Sequence, residues 1–189
     1  MFKNYFILNR LVVELNNELR GYNIIRSFSY ERDKIVFILK NKLEELSIEV
    51  SVNPGFPYLN LKRKFSIPKK NLADFFNSYL PLKINSFEIS NNDRIIRINS
   101  DKASIYFTIR GKYTNLYLIN ENSEIETFKK TDESVKSNFL NELNKQNFIS
   151  VFNNLKLDEE FVDPEIIRKT FPIIGKEIFN EVKLREKDP

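Results

Sequence analysis

The sequence predicts an α+β fold, a two-sheet antiparallel β-sandwich flanked by helices. Three observations lead to this fold class. Apolar residues recur at helical spacing near the N-terminus, short alternating runs joined by polar links follow, and helical spacing returns after residue 131. The same changes of pattern divide the chain into a sandwich domain at residues 1–131 and a helical extension at residues 132–189.

The opening segment predicts one helix with a single apolar face. Leu8, Val12, Leu15 and Leu19 share that face, and Gly21 follows as a C-terminal cap. The period then changes to that of strands. The first three strand candidates are "NIIRSFS", "KIVFILK" and "LSIEVSV".

A short second helix is predicted from Asn71, with Leu72, Phe75, Phe76 and Tyr79 on one side. Strand patterns resume after Pro81 and continue to residue 129. They predict an antiparallel meander of four or five strands, drawn from Lys83–Ser90, Arg94–Ser100, Ser104–Arg110, Asn115–Asn120 and Ile125–Lys129. Beyond Thr131, residues such as Val135 and Phe139 return to helical spacing, and further helical patterns follow Asp163.

Composition excludes several classes of function. The chain is 41% hydrophobic with 17 Phe, which is enough apolar material for a packed core. It has neither Cys nor His, so thiolate chemistry, the usual zinc sites and a Ser-His-Asp triad are excluded within it. Only four Gly are present and none forms a phosphate-binding loop. We therefore expect a protein that is not an enzyme and that has no cofactor or small-molecule substrate.

The charge balance permits an anionic partner without requiring one. The formal net charge is +4 and the isoelectric point is about 9.1. Polar residues interrupt the apolar start before a signal peptide can form, and no run is long enough to span a membrane. We expect a cytoplasmic protein.

Two groups of residues are candidates for contact with a nucleic acid. Asp93 and Arg94 adjoin at the turn before a predicted strand, where they are either a turn cap beside a solvated arginine or a paired contact. A basic stretch with nearby aromatic residues is either a solvated loop or a surface for the nucleic-acid backbone. Its cations are Lys62, Arg63, Lys64, Lys69 and Lys70.

The order of four segments resembles the N-terminal domain of the NFACT family, also called fibronectin-binding protein A. The segments are "NYFILNRLVVELNNELRGYNIIRSF", "LSIEVSVNPGFPYLNL", "FEISNNDRIIRI" and "IYFTIRGKYTNLYLINENSEI". "IIGKEIFNEVKLRE" is similar to the start of the helix-hairpin-helix region that follows in the family. The resemblance covers about residues 4–130, and the chain looks like a divergent branch.

The resemblance implies a fold similar to the N-terminal domain of formamidopyrimidine-DNA glycosylases. It also implies a ribosome-associated quality-control factor that binds tRNA and the large ribosomal subunit carrying a stalled nascent chain, and that takes part in tailing the chain. The family's tRNA-contacting Asp-Arg pair falls on Asp93 and Arg94. Asn4 stands where the family usually has an aspartate that is implicated with this pair, so the resemblance implies that Asn4 also takes part in tRNA binding. The family's older name leaves a protein-interaction module of the adhesin type as an alternative, and the basic stretch leaves a general RNA binder.

Overall fold

The computed structural model describes residues 3–68, 70–91 and 93–150, which form an antiparallel sheet with two helices. The helices are α1 (Tyr5–Leu19) and α2 (Glu133–Leu143). The strands are β1 (Asn23–Glu31), β2 (Lys34–Lys40), β3 (Glu45–Ser51), β4 (Tyr58–Lys62), β5 (Ala73–Asp74), β6 (Leu82–Ser90), β7 (Ile95–Ser100), β8 (Ala103–Thr108), β9 (Asn115–Asn120), β10 (Ile125–Thr127) and β11 (Phe148–Ile149). The predicted α+β class is confirmed.

Helix α1 forms where the apolar spacing predicted it. Asn4 caps its start, because the side-chain Oδ1 accepts hydrogen bonds from the N–H groups of Phe6 (2.9 Å) and Ile7 (3.4 Å). Gly21 follows its end with φ of +88°, a backbone conformation that glycine adopts without steric cost. The apolar face, which ends at Leu19, is buried against the sheet.

The strands follow one continuous antiparallel path, β10-β9-β8-β7-β6-β1-β2-β3-β4, with β5 beside β1 and β11 beside β6. The prediction of two separate sheets is therefore corrected. The two halves are joined where β1 pairs with β6, through Asn23 opposite Lys83 and Ile24 opposite Leu82. A sequence pattern shows which residues alternate but not which distant strands pair, so it could not reveal this connection.

The two halves of the sheet nevertheless share one hydrophobic core. That cluster contains residues of α1, of β1 to β4 and of β6 to β9. Lys129, just after β10, reaches the other half, where its ammonium lies 2.8 Å from the Asp33 carboxylate and 3.0 Å from the Val52 carbonyl oxygen. The open sheet is therefore curved, so that its two halves enclose the same core. The predicted similarity to the glycosylase fold stays a prediction.

One side chain of α1 completes the hydrogen bonding of β6. Strand β6 pairs with β1 near its start and with β11 near its end, on the edge opposite to β7. Between these pairings, Asn16 donates from Nδ2 to the Phe87 carbonyl oxygen (2.5 Å) and accepts at Oδ1 from the Phe87 N–H (2.7 Å). The amide thus supplies the bonds that a neighbouring strand would make.

The short helix predicted ahead of Pro81 is wrong. The segment contains β5 and a single 3₁₀ turn, Asn77–Tyr79. Its backbone groups bond elsewhere, since the Phe75 N–H donates to a carbonyl of β1 (3.1 Å) and the Phe76 N–H donates to the Glu126 carboxylate (3.0 Å). Phe76 is only 1% exposed and has φ of +55°. Burial of its ring in the core outweighs local helix formation.

Helix α2 packs on the outer face of β8 and β9. The Phe139 ring stacks on Tyr117 with centroids 4.2 Å apart and meets the edge of Tyr106 at 6.0 Å. This confirms the helix predicted after Thr131. The rest of the predicted extension, residues 151–189, lies outside the described residues, and the predicted boundary at residue 131 stays a prediction.

Within the part of the chain that the structure describes, neither helix is long and apolar enough to cross a membrane. The same residues contain no group of three or more acidic side chains arranged to hold a metal ion.

Candidate nucleic-acid interface

The turn between β6 and β7 holds the predicted Asp-Arg pair. Asp93 accepts a hydrogen bond at Oδ1 from the backbone N–H of Arg94 (2.7 Å), so the aspartate caps the turn through the main chain. The structure therefore agrees with the interpretation of Asp93 as a turn cap. The hairpin itself forms as the alternation on either side of the turn predicted.

The second oxygen of Asp93 binds a different arginine. Its Oδ2 accepts from Arg110 Nε at 2.8 Å and from Arg110 Nη2, while Arg110 Nη1 donates to Glu142 at 2.5 Å. One guanidinium thus connects the β6–β7 turn, the segment after β8 and helix α2. The side chain of Asp93 therefore pairs with the guanidinium of Arg110 and not with that of Arg94.

Arg110 is partly enclosed, with 26% of its side chain exposed. Burial would lower the pKa of its guanidinium, but the hydrogen bonds and negative charges of Asp93 and Glu142 raise the pKa above its ordinary value. The group is therefore held as a permanent cation between two carboxylates. Such an arrangement stabilises structure and leaves little positive charge for a ligand.

The surroundings of the Arg94 guanidinium differ from those of Arg110. Its side chain is half-buried, and its Nη1 lies 3.5 Å from the backbone carbonyl oxygen of Lys3, just ahead of α1. Among the described residues no carboxylate pairs with it, whereas Arg97 on the following strand is paired with Glu88. The guanidinium of Arg94 therefore remains able to bind an external anion or a base edge.

Asn4 lies next to Lys3, so the structure brings the predicted N-terminal residue and the predicted turn residue onto adjoining segments. Its Oδ1 caps α1, and its exposed amide nitrogen makes no hydrogen bond with any described residue. The three residues predicted to bind tRNA thus share one end of the molecule, but only Arg94 and the amide of Asn4 are available to a ligand.

The basic stretch is less cationic than its sequence suggests. Lys62 is paired with Glu49 (2.7 Å) and Arg63 with Glu18 (2.5 Å). Lys64 and Lys70 are exposed and form no ion pair within the described ranges. Lys69 lies outside the described residues. Two of the five predicted backbone contacts are therefore neutralised by acidic neighbours.

Sequence reasoning missed Arg110 as a partner of Asp93. One local signal was present, since Arg110 immediately precedes Gly111, whose φ of +58° turns the chain between β8 and β9. This signal predicted a tight turn. It could not show that the turn lies beside Asp93, because the strand register decides that neighbourhood.

Solved structures with the same fold include three bacterial proteins. The N-terminal domain of fibronectin-binding protein PavA from Streptococcus pneumoniae aligns with a TM-score of 0.66 at 20% identity, over 96% of this chain and 80% of that one. The fibrinogen-binding protein from Staphylococcus aureus gives 0.57 at 21% identity, over 71% of this chain and 53% of that one.

The N-terminal part of the fibronectin/fibrinogen-binding protein from Streptococcus suis gives a TM-score of 0.57 at 22% identity, over 67% of this chain. The matched region covers 53% of that structure too, so the chain spans about half of the last two structures. At sequence identities of 20–22%, the similarity shows that these proteins share the fold of this chain. No curated protein matches the chain in sequence.

A family model provides the assignment that the structural likeness leaves open. The model described as the NFACT N-terminal and middle domains matches residues 4–149, which include both helices and every described strand. The resemblance of the four segments is confirmed by this match. The chain belongs to the NFACT N-terminal domain family.

Proposed function

We propose that this chain is the tRNA- and ribosome-binding domain of a ribosome-associated quality-control factor that acts on stalled large subunits. Family membership supports the proposal, and the observation that carries it is Arg94. This residue stands at the β6–β7 turn beside the start of α1 with no carboxylate partner among the described residues. The role is binding, and the proposal assigns no catalytic step to the domain.

The local structure suits recognition of an RNA backbone or base edge. The hydrogen bond from the Arg94 N–H to Asp93 fixes the main chain at the base of the arginine side chain. Arg110 binds Asp93 and is itself bound by Glu142 of α2, so the turn is connected through Arg110 to the helix. A planar guanidinium on a rigid turn can form two parallel hydrogen bonds to a phosphate or to a guanine edge.

The test is the affinity of the 189-residue chain for total tRNA, measured by filter binding or fluorescence anisotropy at two salt concentrations. Arg94→Ala is expected to weaken binding by roughly 10-fold or more, since a hydrogen bond to a charged group contributes about 1.5–3 kcal/mol. Arg94→Lys keeps the charge but loses the planar fork, and we expect it to recover only part of the affinity.

Arg20→Ala is the matched control. Arg20 is exposed, forms no ion pair within the described ranges, and follows the other end of α1, roughly 22 Å away along a helix of 15 residues. The variant has the same net charge as Arg94→Ala. If both variants lose the same small amount of affinity and salt removes binding in both, the contact is diffuse electrostatics and the role of Arg94 is wrong.

The ribosomal part of the proposal has its own measurement. Wild-type chain is expected to cosediment with large ribosomal subunits that carry a peptidyl-tRNA more than with empty subunits. Equal cosedimentation with both would contradict a function directed at stalled subunits, even if isolated tRNA binds.

A further inference from the structure

A cavity of about 380 Å³ lies on the outer face of β1 to β4, away from the Arg94 turn. It is lined by Phe28, Tyr30, Val36 and Glu49 of these strands and by Lys64 and Phe65 of the segment that follows β4. This volume falls at the lower end of the range for small-molecule sites, roughly 300–1,000 Å³. It is large enough for one planar heterocycle with an attached polar group.

One hydroxyl in this cavity has no partner. Ser47 is only 1% exposed, and its Oγ makes no hydrogen bond with any described residue. Ser47 alternates on β3 with the core residues Leu46 and Ile48, so its side chain is on the outer face that lines the cavity. A buried hydroxyl without a partner destabilises the folded protein, and a ligand atom that forms a hydrogen bond with it would remove this penalty.

The only carboxylate of the cavity lining within the described residues is already satisfied. Glu49, with 7% of its side chain exposed, accepts from the hydroxyl of Tyr58 (2.7 Å), the hydroxyl of Tyr30 (2.9 Å) and the ammonium of Lys62 (2.7 Å). A cationic ligand would therefore find no unpaired anion. The Glu49–Lys62 pair makes the interior of the cavity close to neutral.

The rim of the cavity carries an unpaired cation beside aromatic rings. Lys64 is exposed and forms no ion pair with a described residue, while the rings of Tyr30 and Phe65 are half-buried at the walls. Aromatic walls favour a planar ring, the unpartnered hydroxyl favours a polar ring edge, and the rim cation favours an attached anion. A nucleotide combines these three properties.

We propose that this cavity binds one unpaired nucleotide, with the base against Tyr30 and Phe65, a polar base atom at Ser47 and the phosphate at Lys64. The nucleotide is either free or part of a single-stranded RNA. The site does not depend on the proposed tRNA contact, because Arg94 lies at the β6–β7 turn and lines no part of the cavity.

The test uses the full chain and a fluorescein-labelled hexauridylate, followed by fluorescence anisotropy, with unlabelled uridine monophosphate as competitor. Phe65→Ala and Lys64→Ala are each expected to weaken hexauridylate binding by roughly 10-fold, as expected for loss of a stacking ring or of a phosphate contact. Arg63→Ala is the matched control, since it removes an adjacent cation that is paired with Glu18 outside the cavity.

If uridine monophosphate displaces the hexamer, the cavity is a site for a free nucleotide. If the hexamer binds and the mononucleotide does not compete, the cavity is a site for single-stranded RNA. Both results support nucleotide binding in the cavity. If Lys64→Ala and Arg63→Ala lose the same amount of hexamer affinity and Phe65→Ala loses none, the proposal is wrong and the RNA binds a diffuse basic surface. Absence of hexauridylate binding at low salt would overturn it as well.

A second measurement uses only the wild-type chain, so a folding defect in Phe65→Ala cannot affect it. A hexamer containing 4-thiouridine, irradiated on wild-type chain, is expected to cross-link to Tyr30 or Phe65. Cross-links confined to other segments would contradict the proposal. Arg20→Ala removes an exposed cation that lines no part of the cavity, and it is expected to leave hexamer affinity unchanged.

Discussion

Asp93 binds the guanidinium of Arg110, 17 residues further along the chain, and not the guanidinium of its neighbour Arg94. The aspartate that appears beside Arg94 in the sequence is therefore a structural partner of another segment. Because Arg110 occupies this carboxylate, Arg94 has no carboxylate partner among the described residues.

The first prediction concerns the hydrogen bonds that Asp93 accepts from Arg94 and Arg110. Asp93→Ala removes the acceptor for the Arg94 N–H and leaves the partly enclosed Arg110 with one carboxylate instead of two. We expect the free energy of unfolding to fall by about 2 kcal/mol, the usual cost of leaving charged hydrogen-bonding groups unpaired. Urea denaturation followed by circular dichroism measures this change.

Arg94→Ala serves as the comparison for stability. Among the described residues its guanidinium forms a hydrogen bond only with the Lys3 carbonyl oxygen, at 3.5 Å, so we expect a change within about 0.5 kcal/mol. A destabilisation as large as that of Asp93→Ala would show that Arg94 is itself structural, and would weaken its assignment to tRNA binding.

The second prediction concerns the amide that completes β6. Asn16→Ala leaves both the N–H and the carbonyl of Phe87 without their partner. Since each unsatisfied buried backbone group costs about 1–3 kcal/mol, we expect a loss of roughly 2 kcal/mol or more in unfolding free energy. The exposed neighbour Asn17→Ala is the control on the same helix, and equal effects would show that only helix propensity had changed.

The third prediction concerns the docking of α2. Phe139 is 4% exposed and packs between Tyr117 and Tyr106. Phe139→Ala is expected to cost about 3–5 kcal/mol, as for other buried phenylalanines, and to lower the whole unfolding transition because α2 covers the sheet. The exposed Asn138→Ala is the control. A separate early transition for α2, with the sheet unaffected, would contradict this prediction.

The fourth prediction concerns pH. Burial raises the pKa of the Glu49 carboxyl, but hydrogen bonds from Lys62, Tyr58 and Tyr30 lower it by more, so the pKa lies below its ordinary value. A carboxyl with a depressed pKa in the folded state contributes stability that is complete above its unfolded pKa, about 4.3, and is lost as pH falls through the folded pKa.

Glu49→Gln removes this titrating group and retains the shape of the side chain. We expect the difference in unfolding free energy between wild type and Glu49→Gln to be largest near pH 6 and to shrink as pH falls below about 4.3. Denaturation curves at several pH values measure it. A difference that stays constant across this range would show that the ionisation of Glu49 does not contribute to stability.

The local elements of the fold could be predicted because their patterns are short-range. Leu8, Val12 and Leu15 at helical spacing define α1, and Leu46, Ile48 and Val50 in alternation define the core face of β3. The predicted strands from residue 83 to residue 129 agree with the structure to within two residues at their ends.

The sequence by itself determined eight of the eleven described strands (β1 to β3 and β6 to β10), both described helices, the β6–β7 turn and membership of the NFACT family. Only the tertiary structure decided that the sheet is continuous, that Phe76 is buried in the core and not part of a helix, and that Asp93 pairs with Arg110. The physical reason is the range of the interactions. Periodicity and turn chemistry act over a few residues, whereas strand register and burial bring together side chains that are far apart in the chain.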